Sequence, residues 1–231
     1  MGGEHTGHRQ RMRERFITQG LDGFAPHEVL ELILFYAIPR QNVNPLAHRL
    51  IDHFGSLHGV LEAPVEELEK VEGIGPNAAL LLSLITAVAR VYAVNRTEKQ
   101  KILRTIEDCG EYLKSFFIGR RSEMVYLLCL DAKCKVLGCR EIGEGSVNSA
   151  NVPIRRIVET ALGLNATSVV LAHNHPSGIA LPSGEDVLTT HRVAAALSTV
   201  DIVLVDHIVV ADDDYVSMVQ SGHRFDDCVT I

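Results

Sequence analysis

The stretch Ser168-Val-Val-Leu-Ala-His173-Asn-His175-Pro-Ser-Gly-Ile-Ala-Leu-Pro-Ser183-Gly-Glu-Asp186 decides how this chain is read. It opens with an apolar, β-branched run, the composition of a buried strand. The strand ends in two histidines spaced by two. Side chains alternate faces along a strand, so both imidazoles leave one face, with Cα atoms about 6.5–7 Å apart. Their ring nitrogens can converge on a single ion. After a Pro-Ser-Gly turn, Asp186 falls at the start of the next predicted helix, where an acidic side chain is favoured. Two histidines and a carboxylate form a common catalytic zinc set that leaves a fourth position for water. The plain alternative is a pair of ordinary core or surface histidines and an acid that merely caps a helix. The spacing to Asp186, with Ser183 three residues before it, favours the metal reading.

Outward from this segment, strands alternate with helices. A helix over 106–118 precedes the apolar strand Met124-Val-Tyr-Leu-Leu-Cys-Leu130. The turn 131–134 leads into a second strand through Arg140. A helix follows over 153–162, then the histidine-bearing strand, a helix over 183–197, a strand-rich run over 202–211, and a turn at 212–214 into 215–219. This pattern predicts an α/β or α+β domain. Toward the N-terminus the pattern is helical: 27–38, entered through Pro26 and stopped by Pro39; Leu46 to Phe54, with Asn44 as predicted cap and Pro45 at the first helical position; a short acidic helix over 64–70; and a long one from Pro76 to about Val94. The polar run 95–101 has no apolar anchor and is the predicted linker, dividing the chain into a helical domain over 1–95 and an α/β domain over 96–231.

The 231 residues carry 22 Lys+Arg and 29 Asp+Glu, a net charge of −7, and 46% are hydrophobic. Such a chain can bury a core and is not a disordered composition. Residues 1–164 hold equal numbers of acids and bases, so the whole net charge comes from 165–231, a poor phosphate-binding surface. Five cysteines, none in a Cys-x-x-Cys pair, argue against a disulfide scaffold or a thiolate zinc cage and fit a reduced cytosol. No secretory signal is read at the N-terminus and no apolar run of bilayer-spanning length is expected, so the protein is expected to be cytoplasmic, without a membrane partner.

The residues also resemble a known family. His-x-His, seven residues, then Ser-x-x-Asp is similar to the zinc motif of the JAMM (MPN+) metalloproteases. The wider segment from His173 to Asp186 looks like the bacterial RadC proteins of that superfamily, as do Gly7-His-Arg-x-Arg-x-Arg-Glu-Arg-Phe16, Gly73-Ile-Gly75 and Leu204-Val-Asp-His-Ile208. The resemblance spans nearly the whole chain and is most specific in the zinc segment. It implies a C-terminal JAMM/MPN-type, cytidine-deaminase-like fold in which Zn²⁺ is held by His173, His175 and Asp186, and hydrolysis of a peptide or isopeptide amide in a protein or peptide substrate. It further implies a general base, matched best by Glu123 with Glu141 and Glu144 as fallbacks, and an oxyanion donor, matched by Ser183. Asp206 and His207 interrupt an apolar strand and are candidates to brace the metal site. Ile179-Ala-Leu181 departs from the family pattern, where polar or acidic residues are usual.

Val71-Glu-Gly-Ile-Gly-Pro76 resembles a helix-hairpin-helix turn, whose backbone N–H groups can hold a DNA phosphate without reading sequence. Its flanking Glu66, Glu67, Glu69 and Glu72, opposed only by Lys70, disfavour DNA, and Arg9, Arg11, Arg13 and Arg15 offer the charge instead. Weak non-specific DNA contact through this region is therefore the expectation for a rival role, that of a non-catalytic DNA-associated accessory protein with a structural or vestigial zinc site.

Overall fold

The computed structural model describes residues 3–97, 101–145 and 153–225. The chain divides into two compact units, Met1–Ala89 and Arg90–Ile231. Together they make a mixed α+β protein: a helical unit followed by a five-stranded mixed sheet with helices.

The first unit comprises α1 (Gly3–Gln19), α2 (Pro26–Ala37), α3 (Asn44–Phe54), α4 (Leu57–Leu61), α5 (Val65–Leu68) and the start of α6 (Pro76–Thr97). Its core gathers Leu30, Leu34, Leu50, Val60, Leu68 and Leu82, all fully buried. Pro26 and Pro45 each lie in the first turn of their helices, where a missing N–H costs nothing. Gly55 ends α3 in the left-handed conformation at φ 80°. The expected cap at Asn44 is corrected. Val43 occupies the cap position, and the Asn44 side chain instead donates to Glu31 Oε2 at 3.1 Å. Buried Glu31 needs partners, and His8 supplies the other at 2.8 Å.

The α1 arginines are largely spent inside the unit. Arg9 donates to the carbonyls of Phe35, Ile38 and Gln41 and lies 4.6 Å from the Phe35 ring. Arg15 pairs with Glu28 at 2.9 Å and stacks 4.0 Å over Phe24, and Arg13 sits over Tyr36. These cations fasten α1 to its own unit. The turn between α5 and α6 has Gly73 at φ 97°, a conformation that only glycine adopts without strain. Arg49 braces this turn by donating to the Glu72 carbonyl at 3.1 Å.

One expectation fails in α6. Pro76–Arg96, 21 residues of mean hydropathy 1.7, is long and apolar enough to cross a membrane by length and composition. Its polar residues are widely spaced among Ala, Leu, Ile and Val, and Arg90 is the first charge after Pro76. Ala78, Ala79 and Leu82 are nevertheless buried in the first unit's core. The helix continues through Thr97, so the predicted linker begins as helix, and 98–100 lie outside the described residues.

The second unit adds α7 (Ile106–Phe117), β1 (Met124–Leu130), β2 (Val136–Glu144), α8 (Ile154–Gly163), β3 (Ser168–Asn174), α9 (Gly184–Ser198), β4 (Val203–Ala211) and β5 (Asp214–Ser217). Strand order is β2-β1-β3-β4-β5, with only β3 and β4 parallel. Alternation divides the sheet into two buried faces. Val125, Leu127, Val169, Leu171 and Leu204 pack with Ile157 of α8 and Val193 and Leu197 of α9. Met124, Tyr126, Leu128, Val170, Ala172 and Ile208 pack with Tyr112, Leu113 and Phe116 of α7. The parallel β3–α9–β4 crossover returns the start of α9 to the C-terminal end of β3. Ligand sites favour that end of parallel strands, and here it brings Asp186 to the histidines.

Candidate metal centre

His173 follows Leu171 by two in β3, so its ring leaves the sheet on the α9 face, completely buried. His175 lies just past the strand end, held by its N–H donating to the Val210 carbonyl at 2.8 Å. Asp186 is the third residue of α9 and almost wholly buried. These three residues form a group whose ligand atoms all lie within 4.8 Å of one another. His173 Nε2 is 3.0 Å from His175 Nε2 and 3.4 Å from Asp186 Oδ1, while His175 Nε2 is 3.7 Å from Asp186 Oδ2. A tetrahedral zinc with ~2.0–2.1 Å bonds holds its ligand atoms roughly 3.3–3.4 Å apart. The donor set therefore fits a zinc-sized cation.

The protons of the two rings also fit. His175 Nδ1 lies 3.0 Å from the Ile179 carbonyl, which can only accept, so Nδ1 carries the proton and Nε2 is bare. This gives the apolar 179–181 loop a role through its backbone. Of its side chains, Ala180 is buried while Ile179 and Leu181 are largely exposed, as is Leu188 on α9. Burial in the apolar interior pushes the His173 ring down from 6.5 to about 4, opposed by Asp186 and reinforced by His175, and burial lowers His207 as well. Both rings are thus kept neutral, the state in which imidazole ligates metal.

Ser183 caps α9. It accepts from Asp186 N–H at 3.2 Å and donates its own N–H and hydroxyl to Asp186 Oδ2, each at 2.7 Å. It thereby orients the carboxylate, and in this arrangement its hydroxyl is committed to Asp186. Glu123 lies two residues before Val125, the partner of His173, and its carbonyl still accepts from Gly145 N–H at 2.8 Å. Glu123 immediately precedes β1, and continuing the strand's alternation back by one residue gives it the side of Val125, the ligand face. Asn174, between the two histidines, brackets it: Asn174 Oδ1 accepts from Met124 N–H at 2.7 Å and Nδ2 donates to the Ser122 carbonyl at 3.1 Å.

The fallback acids lie elsewhere. Glu144 pairs with Met124 and Glu141 with Tyr126, both on the α7 face. There Glu144 accepts from Ser122 Oγ at 2.7 Å and Glu141 from Arg120 at 3.2 Å. Asp206 is also turned to other work. It accepts from Ser217 Oγ at 2.5 Å and Val219 N–H at 3.1 Å, tying β4 to the turn after β5. His207 does reach the site: its Nε2 is 2.8 Å from His173 Nδ1. Strict alternation would separate His207 from Leu204. A register shift between the pairs Val169–Leu204 and Val170–Asp206 leaves Val205 bulged, and this returns His207 to the ligand face. Thr190, on the next turn of α9 after Asp186, completes the contacts and had no signal in the sequence. Burial raises the thiols of Cys109 to about 12 and Cys129 to about 11, so neither is a thiolate donor; Cys228 lies outside the described residues.

Residues 103–223 match the RadC-like JAB domain, and residues 4–80 match the UPF0758 N-terminal domain. A UPF0758 protein of Fusobacterium nucleatum is 31% identical over 95% of this chain and 97% of its own length. One from Ruegeria pomeroyi is 35% identical over 94% and 96%. One from Rhodobacter capsulatus is 38% identical over 86% and 93%. The match of both regions, and of relatives across nearly their full lengths, makes this chain a member of the RadC-like JAB-domain family that carries the UPF0758 N-terminal domain.

Proposed function

We propose that this protein is a zinc-dependent amide hydrolase acting on a protein or peptide substrate. The observation that carries the reading is the convergence of three acceptors, His173 Nε2, His175 Nε2 and an Asp186 carboxylate oxygen, within 4.8 Å in a JAB domain. When bound, zinc supplies a Lewis acid and a water acidified toward neutral pH. His173, His175 and Asp186 would hold it. Glu123 takes a proton from the attacking water and returns it to the leaving amine; such general acid–base work is worth about 10²–10⁴ in rate. Ser183 orients Asp186 and, on turning its hydroxyl toward the scissile carbonyl oxygen, donates to the charge that builds there. Exposed Ile179, Leu181 and Leu188 offer apolar contacts beside the ligands for a polypeptide.

The test is cleavage of a peptide library by zinc-loaded wild type beside Glu123→Gln. The expected result is cleavage by wild type and a loss of about 10²–10⁴ in the variant at unchanged zinc content. Equal cleavage by both would remove Glu123 from the mechanism. Failure of fully zinc-loaded wild type to cut any library member would overturn the hydrolase reading.

A further inference from the structure

We infer that His207 and Thr190 are positioning residues that fix which nitrogen of His173 carries its proton, and so leave His173 Nε2 bare for the metal. The inference rests on reading the His173–His175–Asp186 group as a metal site and adds how its deepest ligand is kept ready.

One chain of hydrogen bonds runs from a backbone carbonyl to the deepest ligand. Thr190 Oγ1 is 2.5 Å from the Asp186 backbone carbonyl and 2.5 Å from His207 Nδ1. A carbonyl can only accept, and a hydroxyl has one proton to give. That proton goes to Asp186 O, so Thr190 Oγ1 accepts from His207 Nδ1–H. With its proton on Nδ1, neutral His207 presents a bare Nε2 to His173 Nδ1 at 2.8 Å. His173 Nδ1 then donates, and His173 Nε2 is bare where it meets His175 Nε2 and Asp186. Each ligand histidine is thus anchored at a backbone carbonyl, His175 directly at Ile179 O and His173 through two side chains at Asp186 O.

The two routes differ for a physical reason. His175 is part-exposed at a loop whose carbonyl can turn to meet it. His173 is fully buried inside a sheet whose carbonyls are engaged with neighbouring strands. A side chain must therefore accept from its Nδ1–H, and the bulge at Val205 delivers His207 there. Thr190 is one helical turn beyond Asp186, so the same turn of α9 that supplies a ligand also supplies the far end of the relay. His173, His207 and Thr190 are all fully buried, so water cannot substitute for a missing link.

The relay makes a prediction that packing alone does not. Thr190→Val keeps the shape but removes the acceptor for His207 Nδ1–H. The His207 proton is then free to move to Nε2, where it would face His173 Nδ1 and force the His173 proton onto Nε2, against the metal. Thr190→Ser keeps the hydroxyl. His207→Leu removes the acceptor, and His207→Gln restores one in its side-chain carbonyl.

The experiment has two readouts on the full-length protein: ring ¹⁵N chemical shifts of the metal-free form, which report which histidine nitrogen is protonated, and zinc affinity by competition with a chromophoric chelator. In wild type, His173 should show a proton on Nδ1 and a bare Nε2. Thr190→Val should move the proton to Nε2, and both it and His207→Leu should weaken zinc binding by about 10–100-fold. Thr190→Ser and His207→Gln should bind close to wild type. A proton on His173 Nε2 in wild type, or Thr190→Val binding zinc as tightly as wild type, would overturn the inference. If wild type fails to bind zinc while its shifts still place the His173 proton on Nδ1, the metal reading falls and the tautomer assignment stands.

Discussion

The two faces of the second unit's sheet both bury polar side chains, and they treat them in opposite ways. On the α7 face, the buried acceptor Asp206 is matched to donors, Ser217 Oγ and the Val219 N–H. On the α9 face, three acceptors converge on one another with their own donors turned away, His175 toward Ile179 O and His173 toward His207. Buried acceptors brought to 3.0–3.7 Å without a shared proton repel unless a cation lies between them. Paired groups hold a fold together, whereas the converging set is one that a cation would hold in place.

This contrast can be broken in several places. The first test concerns the metal. Zinc at 100 times its Kd should stabilise the folded chain by about 2.7 kcal/mol, read in chemical denaturation, and Asp186→Asn should erase that gain. Next is Asn174→Ala, which leaves the buried Met124 N–H without an acceptor and frees the segment around Glu123. We expect a loss of about 1–3 kcal/mol in the same measurement, with zinc still bound.

The histidines then make the metal-free protein acid-sensitive. Burial keeps His173 and His207 from taking protons that the unfolded chain accepts near 6.5. Their folded values lie below the unfolded one, so the unfolded state binds more protons as pH drops. Stability should hold above about 6.5 and fall from there toward about 4, by up to about 1.4 kcal/mol per pH unit for each proton gained. A flat profile over this window would contradict the buried neutral pair. The smallest effect belongs to Glu144→Gln, which keeps an acceptor for Ser122 on the far face. It should stay within about 0.5 kcal/mol of wild type with unchanged zinc affinity; lost zinc would merge the two faces.

The cluster of His173, His175 and Asp186 was legible because each part of it is local. A strand's period of two aims His173 and His175 together, and a helix start favours Asp186. The second unit's alternation of strands and helices was legible for the same reason. What lay beyond reading were effects that depend on distant partners. His207 joins the site only because Val205 bulges, and nothing in an apolar run marks that residue. Its neighbour Asp206 had the same sequence signature and serves β5 instead. Glu141 and Glu144 could be separated from Glu123 only by the β1–β2 register. Asn44 carries a cap's composition, yet buried Glu31, far from it in sequence, claims its side chain. Of the α1 arginines, Arg9, Arg13 and Arg15 are drawn into carbonyls, an acid and aromatic rings of α2 and its flanks.

The most direct test of the central claim is the zinc stoichiometry of the purified protein by inductively coupled plasma mass spectrometry, wild type beside Asp186→Asn. The account predicts about one zinc per wild-type chain and almost none in the variant. A wild type that neither carries zinc nor takes it up, or a variant that holds as much as wild type, would contradict it.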